Sequence, residues 1–417
     1  MHSEWSYLIY LYVCGAASVS AEAPKEAISW QILWSLAQQQ AITGVIAHAL
    51  RRSPALDCPA DIRNEATSFL LGNALSNTAQ QEAVLRIIAM LEHNGLHPAV
   101  LKGMDVARFY AYPECRSSAD TDLLLPAQEE EAALRLLAQA GFQIERRSEQ
   151  THHSSCFRAD TGLLELHGRL WSTVAEQGVF AGRGAALLPL GSTRHVPFAG
   201  TQLPVLQETD ALLFLAMHLI KHFAVQGTGV RMAYDFTLYY ASNRAHIDRA
   251  RFWRVMEQLG FAGIVGGIFG IFVRWGGFSA QTLDAPHLPD EQTCRLLLED
   301  FANYSTAEVI DVSLINEAWV LFCKRTARRT GKGYRLRMAL RRLGTRVQLL
   351  FPSAKVLAVQ YPYLSKHCFL YPVAFTQRFF AVLCSKERRR ATRVLHDPRT
   401  VTGKTQQRAA LFEALGI

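Results

Sequence analysis

LKGMDVARFYAYPECRSSADTDLLLP, residues 101 to 126, sets Lys102, Gly103 and Arg116 ahead of two carboxylates, Asp120 and Asp122, within an apolar run. Side chains on a strand alternate between faces, so a strand here puts Asp120 and Asp122 on one face and Thr121 and Leu123 on the other. Two like charges held side by side repel one another and lose solvent together. That raises at least one pKa unless a cation sits between them, and Mg2+, which prefers hard oxygen ligands, is the usual remedy. The same spacing can also merely decorate an edge strand, so the surrounding sequence has to decide.

Working outward, the sequence predicts a short strand at Pro98–Leu101, a helix from Met104 to about Tyr110, and a helix over Ala127–Ala140. The last is rich in Glu at its first turn, as the helix dipole prefers. Three short strands follow Gly141, at Phe142–Arg146, His153–Arg158 and Leu163–His167. In the third, Leu164 and Leu166 face one side while Glu165 and His167 face the other, so Glu165 joins the first two carboxylates if the strands are neighbours. Before residue 95 the pattern is helical, with apolar positions every three or four residues in Trp30–Ala37 and Val84–Leu91. From a cap at Thr209 helices resume, broken at Gly227–Gly229, Gly276–Gly277 and the turns at Pro286, Pro289, Pro352 and Pro362. The expected fold is α+β, a small mixed-sheet core at 95–205 between helical regions at 1–94 and 206–417.

The 417 residues, 49% hydrophobic and 19% charged, can bury a large core and suggest roughly two or three domains. The net charge of +8 is concentrated: Lys324–Arg346 holds ten Lys and Arg with no Asp or Glu, leaving the remainder near neutral. Interleaved Tyr334, Leu336, Met338, Leu340 and Leu343 make this a basic amphipathic helix, which is either a solvated face or a docking surface for an anionic partner, RNA or an anionic membrane. Eight cysteines without a CxxC or a paired cadence argue against a zinc ribbon and a secreted disulfide framework. They suit reduced thiols and a cytoplasmic location. The start, MHSEWSYLIYLYVCGAASVSAEA, imitates a signal peptide, but it carries Glu4, lacks Lys and Arg, and runs on as a helix. The apolar run Gln258–Val273 is shorter than the roughly 20 residues that cross a bilayer, so no transmembrane segment is expected. Its glycines, Gly263, Gly266, Gly267 and Gly270, suit close helix packing.

Lys102–Gly103, the Tyr110 region, Arg116 and Asp120–Thr121–Asp122–Leu123–Leu124 together resemble the nucleotidyltransferase superfamily, most closely its uncharacterised bacterial branch. Glu165–Leu166–His167, His218 with His222, Arg231 with Asp235, and Leu350–Phe351–Pro352 extend the resemblance. It implies attack by a hydroxyl on the α-phosphate of an NTP such as ATP, with release of pyrophosphate. Asp120, Asp122 and Glu165 would hold Mg2+, or Mn2+ in its place. Gly103 would let the backbone approach a phosphate at the start of the helix. Lys102 and Arg116 would pair with phosphate oxygens. The acceptor, a small molecule, a protein or an RNA as in toxin-like modifiers, is not read, and a binding or assembly protein that keeps the fold without the chemistry is the alternative. Met104 departs from the superfamily by placing no hydroxyl after the turn glycine, and Thr121 replaces the usual aliphatic residue between the acids.

His218 and His222, four apart on one helical face, can bind zinc. Leu219 stands where a zincin needs Glu, however, and no third ligand is near in sequence, which favours a hydrogen-bonded or substrate-facing role. Arg231 and Asp235 have the spacing of a helical ion pair worth about 0.2–0.5 kcal/mol, or they line the cleft.

Overall fold

The computed structural model describes residues 2–147, 152–172, 175–180, 183–188, 192–225, 227–284, 288–303, 363, 368–384, 407–408 and 410–416. Met1–Val309 with Leu411–Ile417 make one compact unit and Ile310–Ala410 a second. In the second unit a 3-10 turn, Cys368–Leu370, leads into a helix at Tyr371–Cys384. There Tyr363, Leu370 and Tyr371 pack on the buried Ala374. Lys324–Arg346 and Leu350–Phe351–Pro352 lie outside the described residues.

The first unit opens with α1 (His2–Ala17), α2 (Trp30–Gln39), α3 (Thr43–Arg52) and the long α4 (Ala60–His93). The leader-like start of the chain is α1, whose Leu8, Ile9, Leu11 and Tyr12 are fully buried. Ser29 caps α2, its side chain accepting from the Ile32 N–H.

Seven strands follow: β1 (Ala99–Val100), β2 (Asp120–Leu124), β3 (Gln143–Glu145), β4 (His153–Arg158), β5 (Gly162–His167), β6 (Thr193–Phe198) and β7 (Thr201–Leu206). They form one mixed sheet in the order β3-β4-β5-β2-β1-β7-β6. β2 runs parallel to β5 and β1 parallel to β7, and the other pairs are antiparallel. Short helices α5 (Met104–Ala107) and α7 (Gly184–Leu187) and the longer α6 (Glu130–Gln139) connect them. This is the expected α+β fold, with helices flanking the sheet.

One face of the sheet is apolar. Leu123, Cys156, Leu164, Leu166 and Val205 are buried in a single cluster with Ile87 and Leu91 of α4 and Leu134 and Leu137 of α6. Burying a side chain of this kind is worth about 1.5–3 kcal/mol. Because strand side chains alternate, the same burial turns Asp120, Asp122, Glu165 and His167 to the opposite face.

The β6–β7 hairpin was not expected from the sequence. Pro197 and Pro204 demote both segments as strands, and β6 escapes that rule as an edge strand whose outer side needs no donor. The local sign of the hairpin is Ala199–Gly200, both at positive φ (48° and 78°), as tight hairpin turns require.

After the sheet come α8 (Glu208–Val225), α9 (Val230–Ser242), α10 (Arg249–Leu259), α11 (Ala262–Trp275), α12 (Ala280–Leu283) and α13 (Glu291–Ala302). Among the described residues no helix is long and apolar enough to cross a membrane. The glycines of α11 do permit close packing. A Cβ on Gly263 would lie 1.8 Å from the Leu415 carbonyl oxygen, and one on Gly270 would lie 2.6 Å from Cys294 Sγ. Gly263→Ala is therefore expected to destabilise by about 1–3 kcal/mol. Gly72→Ala, inside α4 with open space around it, should instead stabilise by roughly 0.5–1 kcal/mol. Urea unfolding of both variants checks the contrast.

Candidate active site

The parallel register of β2 and β5 builds the site. It sets Asp122 opposite Glu165 and Leu124 opposite His167, so Asp120, Asp122, Glu165 and His167 share one face. The antiparallel β4 adds His153, directly opposite His167. At the end of β1, Gly103 turns the chain into α5 with φ 64°. A Cβ there would meet nothing closer than Ser118 Oγ at 3.6 Å, so the position needs glycine for its backbone conformation rather than for room.

The turn carries Lys102 into the carboxylates. Its Nζ donates to Asp120 Oδ2 at 3.0 Å and lies 3.0 Å from Asp122 Oδ2. Burial alone disfavours the Lys102 ammonium, but Asp122 and Asp120 outweigh it and hold its pKa above the ordinary lysine value. Asp122 is 1% exposed. Burial pushes its carboxyl up, and Lys102 and then His167 override that, holding it well below the usual carboxylate range. His167 Nε2 is 3.0 Å from Asp122 Oδ1 and 3.7 Å from Glu165 Oε2. These carboxylates raise the His167 pKa against the effect of burial.

Two carboxylates and one imidazole make up the group that could hold a metal ion: Asp122, Glu165 and His167 offer ligand atoms within 4.8 Å of one another, and among the described residues Asp120 is not part of that group. The buried Asp122 Oδ2 accepts no hydrogen bond, and Lys102 Nζ, 3.0 Å away, reaches it as a charge. Beside this group, a small cleft is lined by Gln81 of α4, Lys102, Gly103, Met104, Ser118 and Asp120.

Two sequence expectations change. Arg116 lines the cleft, but its Nε and Nη2 are committed to a carboxylate, forking onto Asp235 Oδ1 (3.0 Å) and Oδ2 (2.6 Å), with both side chains buried. Tyr110 Oη donates to the same carboxylate at 2.8 Å and lies 2.9 Å from Tyr12 Oη. Arg231 and Asp235 consequently form no helical pair. Arg231 Nη1 instead donates to the Ser117 carbonyl at 2.8 Å. The planar guanidinium of Arg116 matches both carboxylate oxygens at once, a geometry that a neighbour four residues away on one helix does not offer. Together the two contacts pin the segment before β2 onto α9.

His218 and His222 lie together on α8, with ring centroids 4.6 Å apart. Burial holds His218 well below the ordinary histidine value and His222 at about 3. Neither belongs to a group of described residues able to hold a metal. Between them the sequence reading missed Lys221, whose pKa burial, and then Lys102, lower to about 8 while Asp122 and Glu165 oppose the shift. His152 and His153 were also missed as site residues. The signal for Lys221 was its place three residues after His218, on the same helical face. For His153 it was the Asp160–Thr161–Gly162 turn, which sets the β4–β5 register.

Removing one partner of a buried ion pair costs about 3–5 kcal/mol. Asp235→Ala should lose that much in chemical denaturation, and Asp235→Asn less. Lys221 gives a pH prediction. Below about pH 8 it is charged in both states, and the folded state bears the whole desolvation cost. Between about 8 and 10.5 the unfolded chain still holds the proton that the folded chain has lost, so stability rises with pH. Lys221→Met is expected to raise the thermal midpoint at pH 7, with an advantage that shrinks across that window. An advantage that stays constant to pH 10.5 would contradict the assignment.

No curated protein and no solved structure matches the chain. A family model described as uncharacterised nucleotidyltransferase matches residues 26–277. That span contains every residue of the site described above and stops short of the basic stretch. The match covers more than half of the sequence, and the chain belongs to this family of uncharacterised nucleotidyltransferases.

Proposed function

We propose that the chain transfers a nucleotidyl group from an NTP to a hydroxyl-bearing acceptor and releases pyrophosphate. The observation that carries this reading is the β2–β5 register, which gathers Asp120, Asp122 and Glu165 on one sheet face beside the Gly103 turn. Asp120, Asp122 and Glu165 would hold Mg2+, or Mn2+ in its place, and the ion would neutralise triphosphate charge and lower the pKa of the attacking hydroxyl.

The acceptor oxygen bonds to the α-phosphorus, and the bond from that phosphorus to the oxygen bridging to the β-phosphate breaks. Pyrophosphate leaves with the electron pair. Glu165, the less buried partner of Asp122 across the register, would take the hydroxyl proton. Lys102 holds the acids together in the nucleotide-free protein, and its ammonium is within a side-chain rotation of the cleft where we place the phosphates. Gly103 allows the backbone to approach them. His167 orients Asp122 through its Nε2 contact. Arg116 has a positioning role, holding the approach to β2 against Asp235.

Incubating the full chain with Mg2+, cell extract and NTPs labelled in turn at the α- and γ-phosphates tests the reading. Label from the α-position should appear on an acceptor, and γ-label should leave as pyrophosphate. Asp122→Asn and Glu165→Gln are expected to lower transfer roughly 10²-fold or more, the scale of losing one contact to developing charge. Transfer of the γ-label to the acceptor, or full activity in both variants, would refute it.

A further inference from the structure

Three histidines crowd the same sheet face beside the carboxylates. His153 and His167 are a direct cross-strand pair on β4 and β5, and His152 precedes His153. The ring centroids are 4.7 Å (His152–His153), 5.1 Å (His152–His167) and 5.3 Å (His153–His167) apart. One ring nitrogen from each lies within 4.8 Å of the others. Tetrahedral imidazole donors bound at about 2.0–2.1 Å sit roughly 3.3 Å from one another, a separation that small side-chain rotations reach from here.

Two of these nitrogens also lack a hydrogen bond. His167 is 2% exposed, and its Nδ1 is buried with no hydrogen-bond partner; His153 Nδ1 is buried likewise and has a charge contact with Glu165 Oε2 at 3.4 Å. Leaving such an atom buried and unpaired costs about 1–3 kcal/mol, and three rings turned toward one another have no common proton donor to relieve it. For His167 the other nitrogen is already committed: Nε2 lies 3.0 Å from Asp122 Oδ1. A ring that donates Nε2–H to a carboxylate presents the Nδ1 lone pair outward, the arrangement that orients metal-bound histidines.

We propose that His152, His153 and His167 form a binding site for a borderline transition-metal dication of the zinc type, adjoining the carboxylates and sharing His167 with the Asp122–Glu165–His167 group. All-nitrogen donors select such ions over Mg2+, which prefers oxygen. Asp122 and Glu165, touching His167 and His153, supply the compensating negative charge. An ion held by His167 Nδ1 fixes that ring and, through Nε2, the position of Asp122, so the site serves as a structural anchor for the acidic cluster. It stands independently of the proposed transfer reaction.

The test uses the full chain, stripped with chelator and titrated with Co2+ in the presence of excess Mg2+, followed by visible absorption. One equivalent should bind with the bands of nitrogen-ligated, low-coordinate Co2+, and Zn2+ should displace it. His152→Gln is expected to weaken binding at least tenfold, whereas Asp120→Asn should leave it within about twofold of the wild type. X-ray absorption of the Zn2+-loaded wild type, which needs no variant, should show about three imidazole ligands. Absence of Co2+ binding under excess Mg2+, unchanged binding in His152→Gln, a loss in Asp120→Asn as large as in His152→Gln, or an oxygen-only shell would each overturn the proposal.

Discussion

The structure is organised around the need for positive charge among Asp120, Asp122 and Glu165. The parallel register of β2 and β5 leaves them no choice of face, because turning them inward would expose Leu123, Leu164 and Leu166 and break the core beneath. Lys102 meets that need from one side, 3.0 Å from each of two carboxylates, and His167 from the other. Asp122, the most buried of the three, sits between these two partners and stays ionised. The direction of its shift is the outcome of a contest: desolvation is the largest single effect, and two short contacts together defeat it.

Much of the remaining architecture holds those groups in place. The Gly103 turn fixes where Lys102 begins. The 113–119 segment, which fixes where β2 begins, is tied to α9 by Arg116 on Asp235 and Arg231 on the Ser117 carbonyl, and to α4 by Asn77 on the Arg116 carbonyl. Tyr12 of α1 reaches the same buried network through Tyr110. Helices far apart in sequence thus converge on the short stretch that precedes the acids. The opposite face of the sheet is closed by α4 and α6.

Local patterning carried far in the sequence. The strand with Asp120 and Asp122, the Gly103 turn and the strands at His153–Arg158 and Gly162–His167 all follow from period-two alternation and glycine placement. What misled it were cases where a tertiary partner outranks a local one. Arg231 and Asp235 have the spacing of a helical pair, yet each bonds outside its helix, because Arg116 offers a forked, buried geometry that solvent-facing neighbours do not match. The prolines of β6 and β7 hid a hairpin whose edge position makes one of them harmless.

The sequence by itself determined which side chains fall on the same face of each strand, and therefore that Asp120 pairs with Asp122 and Glu165 with His167. It also determined the α+β class, since hydrophobic period and turn residues are local properties. The tertiary structure alone decided that these two pairs meet, because strand order and parallel pairing depend on which surfaces bury each other rather than on neighbours in the chain. It likewise decided that Lys102 lies between the acids, that Arg116 is clamped on Asp235, and that Lys221 and three histidines close around the site. Those placements follow from charge and desolvation summed over several elements, some of them more than 100 residues apart as Arg116 and Asp235 are, which no short window of sequence contains.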